Sequence, residues 1–134
     1  MFFGINKIVH AKKNSLDIVE IWGTGKPRRE LLHVDDLAAG LIFLLKVKDP
    51  PDWVNLGTGK DQTILELAGM VKDTVGFKGS ISHDLSKPDG TPVKRLDVTL
   101  MDSLGWRASI DLRSGIPNAY EDFLSTLASG TARL

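Results

Sequence analysis

WGTGKPRRELLHVDD, residues 22–36, runs from the end of an apolar-alternating segment through a basic turn into an apolar stretch and two acids. The segment before it, Asp17 to Trp22, alternates polar and apolar residues and reads as a strand. Gly23, Gly25 and Pro27 force a turn after that strand. Lys26, Arg28 and Arg29 then place three cations within four positions. Guanidinium forks match phosphate oxygens in paired geometry, so such a cluster suits an anion such as a diphosphate. Trp22 adds a flat apolar wall beside the cations. The plainer alternative is a solvated basic turn after an edge strand, with Trp22 in the core. Glu30 to Val34 is expected as a short strand that holds His33 as a core histidine, and Asp35 or Asp36 as the cap of a helix reaching about Val47.

Working outward, that helix has two apolar stripes, Leu37, Leu41, Leu44 and Leu45 on one side and Ala38, Ile42 and Phe43 on the other. A helix apolar on most of its surface needs cover on most sides, so an exposed apolar patch or self-association is expected. Upstream, Ile5 to Lys13 reads as a short amphipathic helix. Downstream, residues 49–52 form a loop, and Trp53 to Leu56 reads as a buried strand ending in Gly57-Thr58-Gly59. Thr63 and Glu66 form a capping box that opens a helix from Ile64 to Val75, closed by Gly76. Ser80 to Asp84 alternates weakly as an edge strand, and Ser86 to Pro92 is a loop. Thr99 and Asp102 cap a short turn that Gly105 ends. A final helix is expected from about Ser114 to Ala128, with Pro117 in its first turn and a frayed tail from Ser129 to Leu134.

Gly-Thr-Gly-Lys occurs twice, at residues 23–26 and 57–60, each time between an apolar run and a helix. Neither is a P-loop: no glycine stands five positions before Gly25 or Gly59, and Pro27 and Asp61 follow the lysines. A Gly-x-Gly-x-x-Gly fingerprint is also missing. His10, His33 and His83 lie on separate segments without ligand spacing, so no metal site is expected. The 134 residues suit one domain, and Lys plus Arg balance Asp plus Glu at 17 each. With no bulk field and no nucleic-acid motif, neither nucleic acid nor an anionic membrane is an expected partner. The longest apolar run, Leu37 to Leu45, is too short to span a bilayer. The first residues lack a signal pattern, which makes the cytoplasm the default expectation. Without cysteine there are no disulfides or thiolate metal sites.

The opening stretch resembles the WGxGxPxREFLHVDD segment of the GDP-L-fucose synthase family, within the extended short-chain dehydrogenase/reductase superfamily. Further matches follow in order: NLGTG at residues 55–59, TILELA at 63–68, VGFKG at 75–79, SKPDGTP at 86–92, LDV at 96–98 and LGW at 104–106. The SKPDGTP string separates this family from other nucleotide-sugar epimerases. The resemblance covers nearly the whole chain and implies an NADP-dependent 3,5-epimerase/4-reductase acting on GDP-4-keto-6-deoxy-mannose. It also implies that the chain is only the carboxy-terminal part. The family's cofactor half carries a glycine-rich dinucleotide turn and a Ser with Tyr-x-x-x-Lys. Here the single tyrosine, Tyr120, is followed at the fourth position by Leu124. The Cys and His that the family uses for epimerisation lie upstream of anything matched.

The expectation is therefore a small mixed α/β substrate-binding domain over 1–134, lacking the Rossmann cofactor domain and inactive alone. By resemblance the substrate contacts fall on Lys7, Trp22, Arg29, Asp89 and Lys94, with no catalytic, cofactor or metal residue in this chain. Val93 departs from the Arg usual in the family, which weakens that wall. Expected partners are a GDP-sugar, the missing amino-terminal Rossmann domain that carries NADP, and a second copy in a homodimer. The alternative is a non-enzymatic interaction module that docks a partner through the apolar helix 37–47.

Overall fold

The structure is a computed structural model, and it describes residues 5–131. The expected absence of a signal pattern at the start, and the last three residues of the expected frayed tail, fall partly or wholly outside that range. Five helices and five short strands follow in the order α1 (Ile5–Lys13), β1 (Ile18–Trp22), β2 (Arg28–Glu30), α2 (Val34–Leu44), β3 (Asp61–Thr63), α3 (Ile64–Val75), β4 (Ser80–Asp84), β5 (Val93–Lys94), α4 (Thr99–Leu104) and α5 (Leu112–Ala128). The small mixed α/β fold expected from the sequence is the fold observed.

The core follows from the amphipathic patterns. β1 alternates exposed and buried residues, with Val19 and Ile21 inward. α1 turns Ile8, Val9 and Ala11 to the same interior, and α3 adds Val71 and Val75. Phe77, and Ile116 of α5, complete the cluster. Ile8 and Ile21 are fully buried, contributing roughly 2 kcal/mol each by removal from water. α3 begins where its capping box predicts: Thr63 Oγ1 accepts the Glu66 amide at 3.1 Å, and Glu66 accepts the Thr63 amide at 2.8 Å. Gly76 ends it in the left-handed conformation.

The strands form two small sheets. β1 and β4 run parallel, from Ile18 opposite Ser80 to Trp22 opposite Asp84. In the second sheet β2 is central, antiparallel to β3 and parallel to β5. Two connections therefore leave the first sheet from neighbouring strand ends and enter the second on neighbouring strands. One is residues 23–27, from β1 to β2; the other is residues 85–92, from β4 to β5.

Several expectations are corrected. The strand after the basic turn is Arg28–Glu30, not Glu30 to Val34, because β3 and β5 pair with those earlier residues. His33 is not a strand residue. It caps α2, its Nδ1 accepting the Asp35 amide at 3.2 Å, and α2 ends at Leu44. Asp36 is no cap but a clasp, accepting the amides of Ser109 and Ile110 and the Ser109 hydroxyl. Trp53 to Leu56 is neither buried nor a strand: Trp53 is 88% exposed, and no strand among the described residues pairs with this segment. Asp111 caps α5, so the helix starts at Leu112 and Pro117 falls in its second turn, where a backbone donor is lost. Thr99 and Asp102 do not cap α4: its cap position is Val98, whose side chain makes no cap bond, and the Thr99 amide donates to the preceding Asp97 carboxylate at 2.9 Å. Through Thr131 the tail is tied rather than frayed: Gly130 turns left-handed, and Thr131 donates to the Thr126 carbonyl at 3.0 Å.

Candidate functional site

Trp22 and Asp84 end the two parallel strands side by side, and the Gly23 amide donates to the Asp84 carbonyl at 2.9 Å. Carboxyl ends of parallel strands are where α/β folds gather ligands. Trp22 is half exposed there, and the Lys87 ammonium lies 5.7 Å from its ring centroid, within cation–π range. The neighbouring His83 places Nδ1 3.1 Å from the Gly23 carbonyl.

Asp89 reaches from the second connection into the first. One carboxylate oxygen accepts the Thr24 amide at 2.8 Å, and the other accepts the Thr24 hydroxyl at 2.7 Å. Gly23, at φ +71°, gives the approach its room: a Cβ there would stand 2.3 Å from the Asp89 carboxylate. The Thr24 hydroxyl and amide, helped by the Lys26 and His83 charges, hold the Asp89 carboxyl below the ordinary carboxylate range.

Because β2 is a strand, successive residues point to opposite faces, and the expected cluster of three cations divides. Arg28 turns to the nearly buried Asp61, with Nε 2.6 Å from the carboxylate and Nη2 3.0 Å from the Asp61 carbonyl; Arg95 stands 3.9 Å from the same carboxylate. Arg29 turns to the second connection. Its Nη1 donates to the carbonyls of Thr91 and of Arg28, each at 2.7 Å, and Nη2 lies beside Gly90. Lys94 sits opposite Arg29 on β5 and lines a separate cleft with Glu30, Leu56 and Arg95. Lys7 donates to the Glu20 carbonyl at 2.5 Å, two residues before Trp22 on β1. So Trp22, Arg29 and Asp89 are joined through residues 84–92, while Lys94 lies on β5 and Lys7 reaches β1 from helix α1. Trp22, Arg29 and Asp89 line neither the cleft of Trp53, Asn55, Asp97 and Leu100 nor that of Glu30, Leu56 and Lys94.

Sequence reasoning assigned no role to Thr24 or Lys87, and it named Glu30 as the first residue of an expected strand. Glu30 instead gathers backbone: one oxygen takes the amides of Thr58 and Gly59, the other takes the Leu96 amide at 2.6 Å. The two Gly-Thr-Gly-Lys turns are thus built alike. In each, the threonine amide binds a carboxylate of the chain itself, Asp89 for Thr24 and Glu30 for Thr58. In each, the threonine hydroxyl accepts the following lysine amide at 3.2 Å. The repeated motif was the visible signal, but the acids that fill it come from 65 and 28 positions away. With those donors already engaged, the turns do not fit the pyrophosphate of a dinucleotide cofactor, and no residue of this chain is assigned to NADP. No cluster of three or more metal-ligating side chains occurs among the described residues.

Residues 3–57 match the model of the NAD dependent epimerase/dehydratase family. GDP-L-fucose synthase 1 of Arabidopsis thaliana is 45% identical over 119 residues, 89% of this chain and 37% of that protein. GDP-L-fucose synthase of Escherichia coli K12 is 44% identical over 122 residues, 84% of this chain and 37% of that protein. The structure of MlghC, a GDP-mannoheptose C4 reductase from Campylobacter jejuni with NADP bound, superposes with a TM-score of 0.76 at 35% identity, over 87% of this chain and 42% of that one. The chain thus spans little more than a third of the length of the two synthases. The family resemblance read from the motifs is borne out, and the fold is part of the extended short-chain dehydrogenase/reductase fold.

Proposed function

We infer that this chain, akin to the GDP-L-fucose synthases of the extended short-chain dehydrogenase/reductase superfamily, is the nucleotide-sugar-binding portion of an NADP-dependent GDP-4-keto-6-deoxy-mannose epimerase/reductase. In this reading residues 1–134 form one domain that grips the GDP moiety and orients the sugar. Cofactor and acid–base groups come from a Rossmann domain outside this chain. The chain alone turns nothing over.

The observation that carries the reading is the posture of Arg29. One nitrogen of its fork is fixed on the Thr91 and Arg28 carbonyls, while Nη2 and Nε have no hydrogen-bond partner among the described residues. A guanidinium so anchored meets a diphosphate with little further ordering. Lys87, over the Trp22 ring, belongs to the same connection, residues 85–92, that carries Asp89 and the Thr91 carbonyl held by Arg29. Lys94 and Lys7 are assigned outer contacts to the donor. Such a site binds weakly until its second wall, the Rossmann domain, is present.

Isothermal titration of the 134-residue chain with GDP-mannose tests the reading. The expected result is heat of binding that Arg29→Ala removes or weakens at least tenfold. Absence of heat with the wild-type chain, or equal heat after Arg29→Ala, would overturn it.

One observation favours a second reading, an interaction module. α2 leaves Val34, Leu41, Ile42 and Leu45 largely exposed, the apolar patch its composition foretold. Solution mass across a concentration series separates the two. An oligomer that grows with concentration and has no affinity for GDP-mannose supports docking over ligand binding.

A further inference from the structure

We propose that Thr24 is a positioning residue for the nucleotide-sugar site: by gripping Asp89 with both amide and hydroxyl, it sets residues 86–92 against the Trp22 turn, so that Lys87 and Arg29 meet the ligand already placed. The proposal rests on the reading in the preceding subsection and goes beyond it, since the Thr24 amide and hydroxyl are both given to Asp89.

Topology makes such a device necessary. Residues 23–27 and 85–92 both cross from the first sheet to the second, starting from paired strand ends at Trp22 and Asp84 and landing on the paired strands β2 and β5. At the two ends the crossings are tied by backbone, Gly23 to Asp84 and Arg28 to Pro92. Between those ties the second crossing has little structure of its own. Asp84 closes a short turn at Ser86, and Lys87 donates to the Asp84 carbonyl at 3.3 Å. Beyond Lys87, what holds the loop down is Asp89 on Thr24 and Thr91 on Arg29. The Thr24 clasp makes two bonds to the Asp89 carboxylate, against one from the Arg29 guanidinium to the Thr91 carbonyl, and all three are charge-assisted.

Without the clasp, the stretch between Lys87 and Pro92 keeps, among the described residues, the Arg29 bond to Thr91 alone. Arg29 would then serve as loop anchor and ligand donor at once, and the Lys87–Trp22 contact would have to be ordered at the moment of binding. Ordering at binding lowers affinity without removing any ligand contact. Gly23 fits the same purpose, because a side chain there would occupy the place of the Asp89 carboxylate.

The test is titration of the 134-residue chain and its variants with GDP-mannose, with far-UV circular dichroism and thermal melting to establish folding. Thr24→Val removes the hydroxyl bond at nearly constant volume and should weaken binding about five- to tenfold. Thr24→Ser keeps the hydroxyl and should bind within about twofold of wild type. If valine crowds the turn and the chain fails to fold, Thr24→Ala carries the same test. Asp89→Ala combined with Thr24→Val should bind no more weakly than Asp89→Ala alone, since the two residues act as one unit. Wild-type affinity in the valine or alanine variant, a serine variant as weak as valine, or effects that simply add would overturn the proposal and leave the site reading standing. No heat with the wild-type chain would overturn both.

Discussion

Glu30 on β2 accepts the Leu96 amide at 2.6 Å, from 66 residues further along the chain, while its other oxygen holds the Thr58–Gly59 turn. One side chain thus fixes two connections beside Arg29. Each oxygen faces a backbone donor, so an amide cannot serve both. Glu30→Gln would set its NH2 against either Leu96 or the 58–59 turn and should cost about 1–2 kcal/mol, and Glu30→Ala about 2–3 kcal/mol, by leaving amides unpaired. Urea denaturation of the two variants against wild type measures both. A glutamine variant as stable as wild type would show that these amides find water instead.

Asp36 shows the opposite arrangement. One oxygen accepts both backbone amides, of Ser109 and Ile110, and the other meets only the Ser109 hydroxyl, which can donate or accept. Asp36→Asn should therefore be tolerated within about 1 kcal/mol, whereas Asp36→Ala should cost about 2–4 kcal/mol, because it strands two donors beside a residue only 4% exposed. The same urea series reads the contrast. It is the pattern Glu30 does not show.

The two acids also mark what could be read in advance. Helix α3 was legible to the residue because its capping box and its closing glycine are local signals, within three positions of the ends they fix. β2 was not, since Arg28–Glu30 becomes a strand only through partners at 61–63 and 93–94. That pairing decides that Arg28 and Arg29 face apart, so a cluster counted along the chain dissolved in space. Trp53 to Leu56 failed for the reverse reason: a largely apolar segment with which no described strand pairs makes no ladder. For the site, Trp22, Arg29 and Asp89 were named from family motifs, and the structure joins them through one loop. Thr24 and Lys87 escaped because an amide–hydroxyl grip and a cation over a ring leave no trace in spacing.

Acid should weaken the fold in a defined window. Burial pushes the Asp36 carboxyl up, but the hydrogen bonds from Ile110 and Ser109 outweigh it and hold the group below its ordinary value. Glu66, Asp84, Asp89, Asp97 and Asp111 are lowered as well, by hydrogen bonds from Thr63, Ser86, Thr24, Thr99 and Ser114. A carboxyl depressed in the folded state contributes stability that is complete above its unfolded value, about 4, and is lost as pH falls through the folded value. The urea midpoint should thus be nearly flat from pH 7 to about 5 and fall steeply below about 4. Asp36→Asn should make that fall shallower, and an unchanged slope would remove Asp36 from the acid response.

The exposed side of α2 should be silent in folding. Leu41 and Ile42 are half exposed and Leu45 is 87% exposed, so each keeps much of its water contact in the folded chain. Replacing Leu41 and Leu45 by Glu should change stability by no more than about 0.5 kcal/mol each. If the patch mediates self-association, the double variant should also run as a smaller species at high concentration in sedimentation velocity. Gly40, on the same helix, is different: a Cβ there would stand 2.7 Å from Leu56 and 3.0 Å from Trp106. Gly40→Ala should destabilise where the two glutamates do not.

Arg28 and Arg29 are adjacent in sequence, and their substitutions should be read by different instruments. Arg28 pairs with Asp61, whose side chain is only 7% exposed, so Arg28→Ala leaves a nearly buried carboxylate with Arg95 as a distant partner. Arg28 itself is partly solvated, which tempers the loss to about 1–2 kcal/mol of stability, with affinity for GDP-mannose nearly intact. Arg29→Ala gives up the bonds to the carbonyls of Thr91 in the loop and of Arg28 on β2 and should cost about 1 kcal/mol or less in urea, yet lower the affinity at least tenfold. Lysine separates fork from charge: Arg29→Lys keeps the cation but cannot hold Thr91 while offering a second parallel donor, and should recover only part of the binding. Equal behaviour of the Arg28 and Arg29 variants in both assays would mean that β2 does not sort its two cations between fold and ligand.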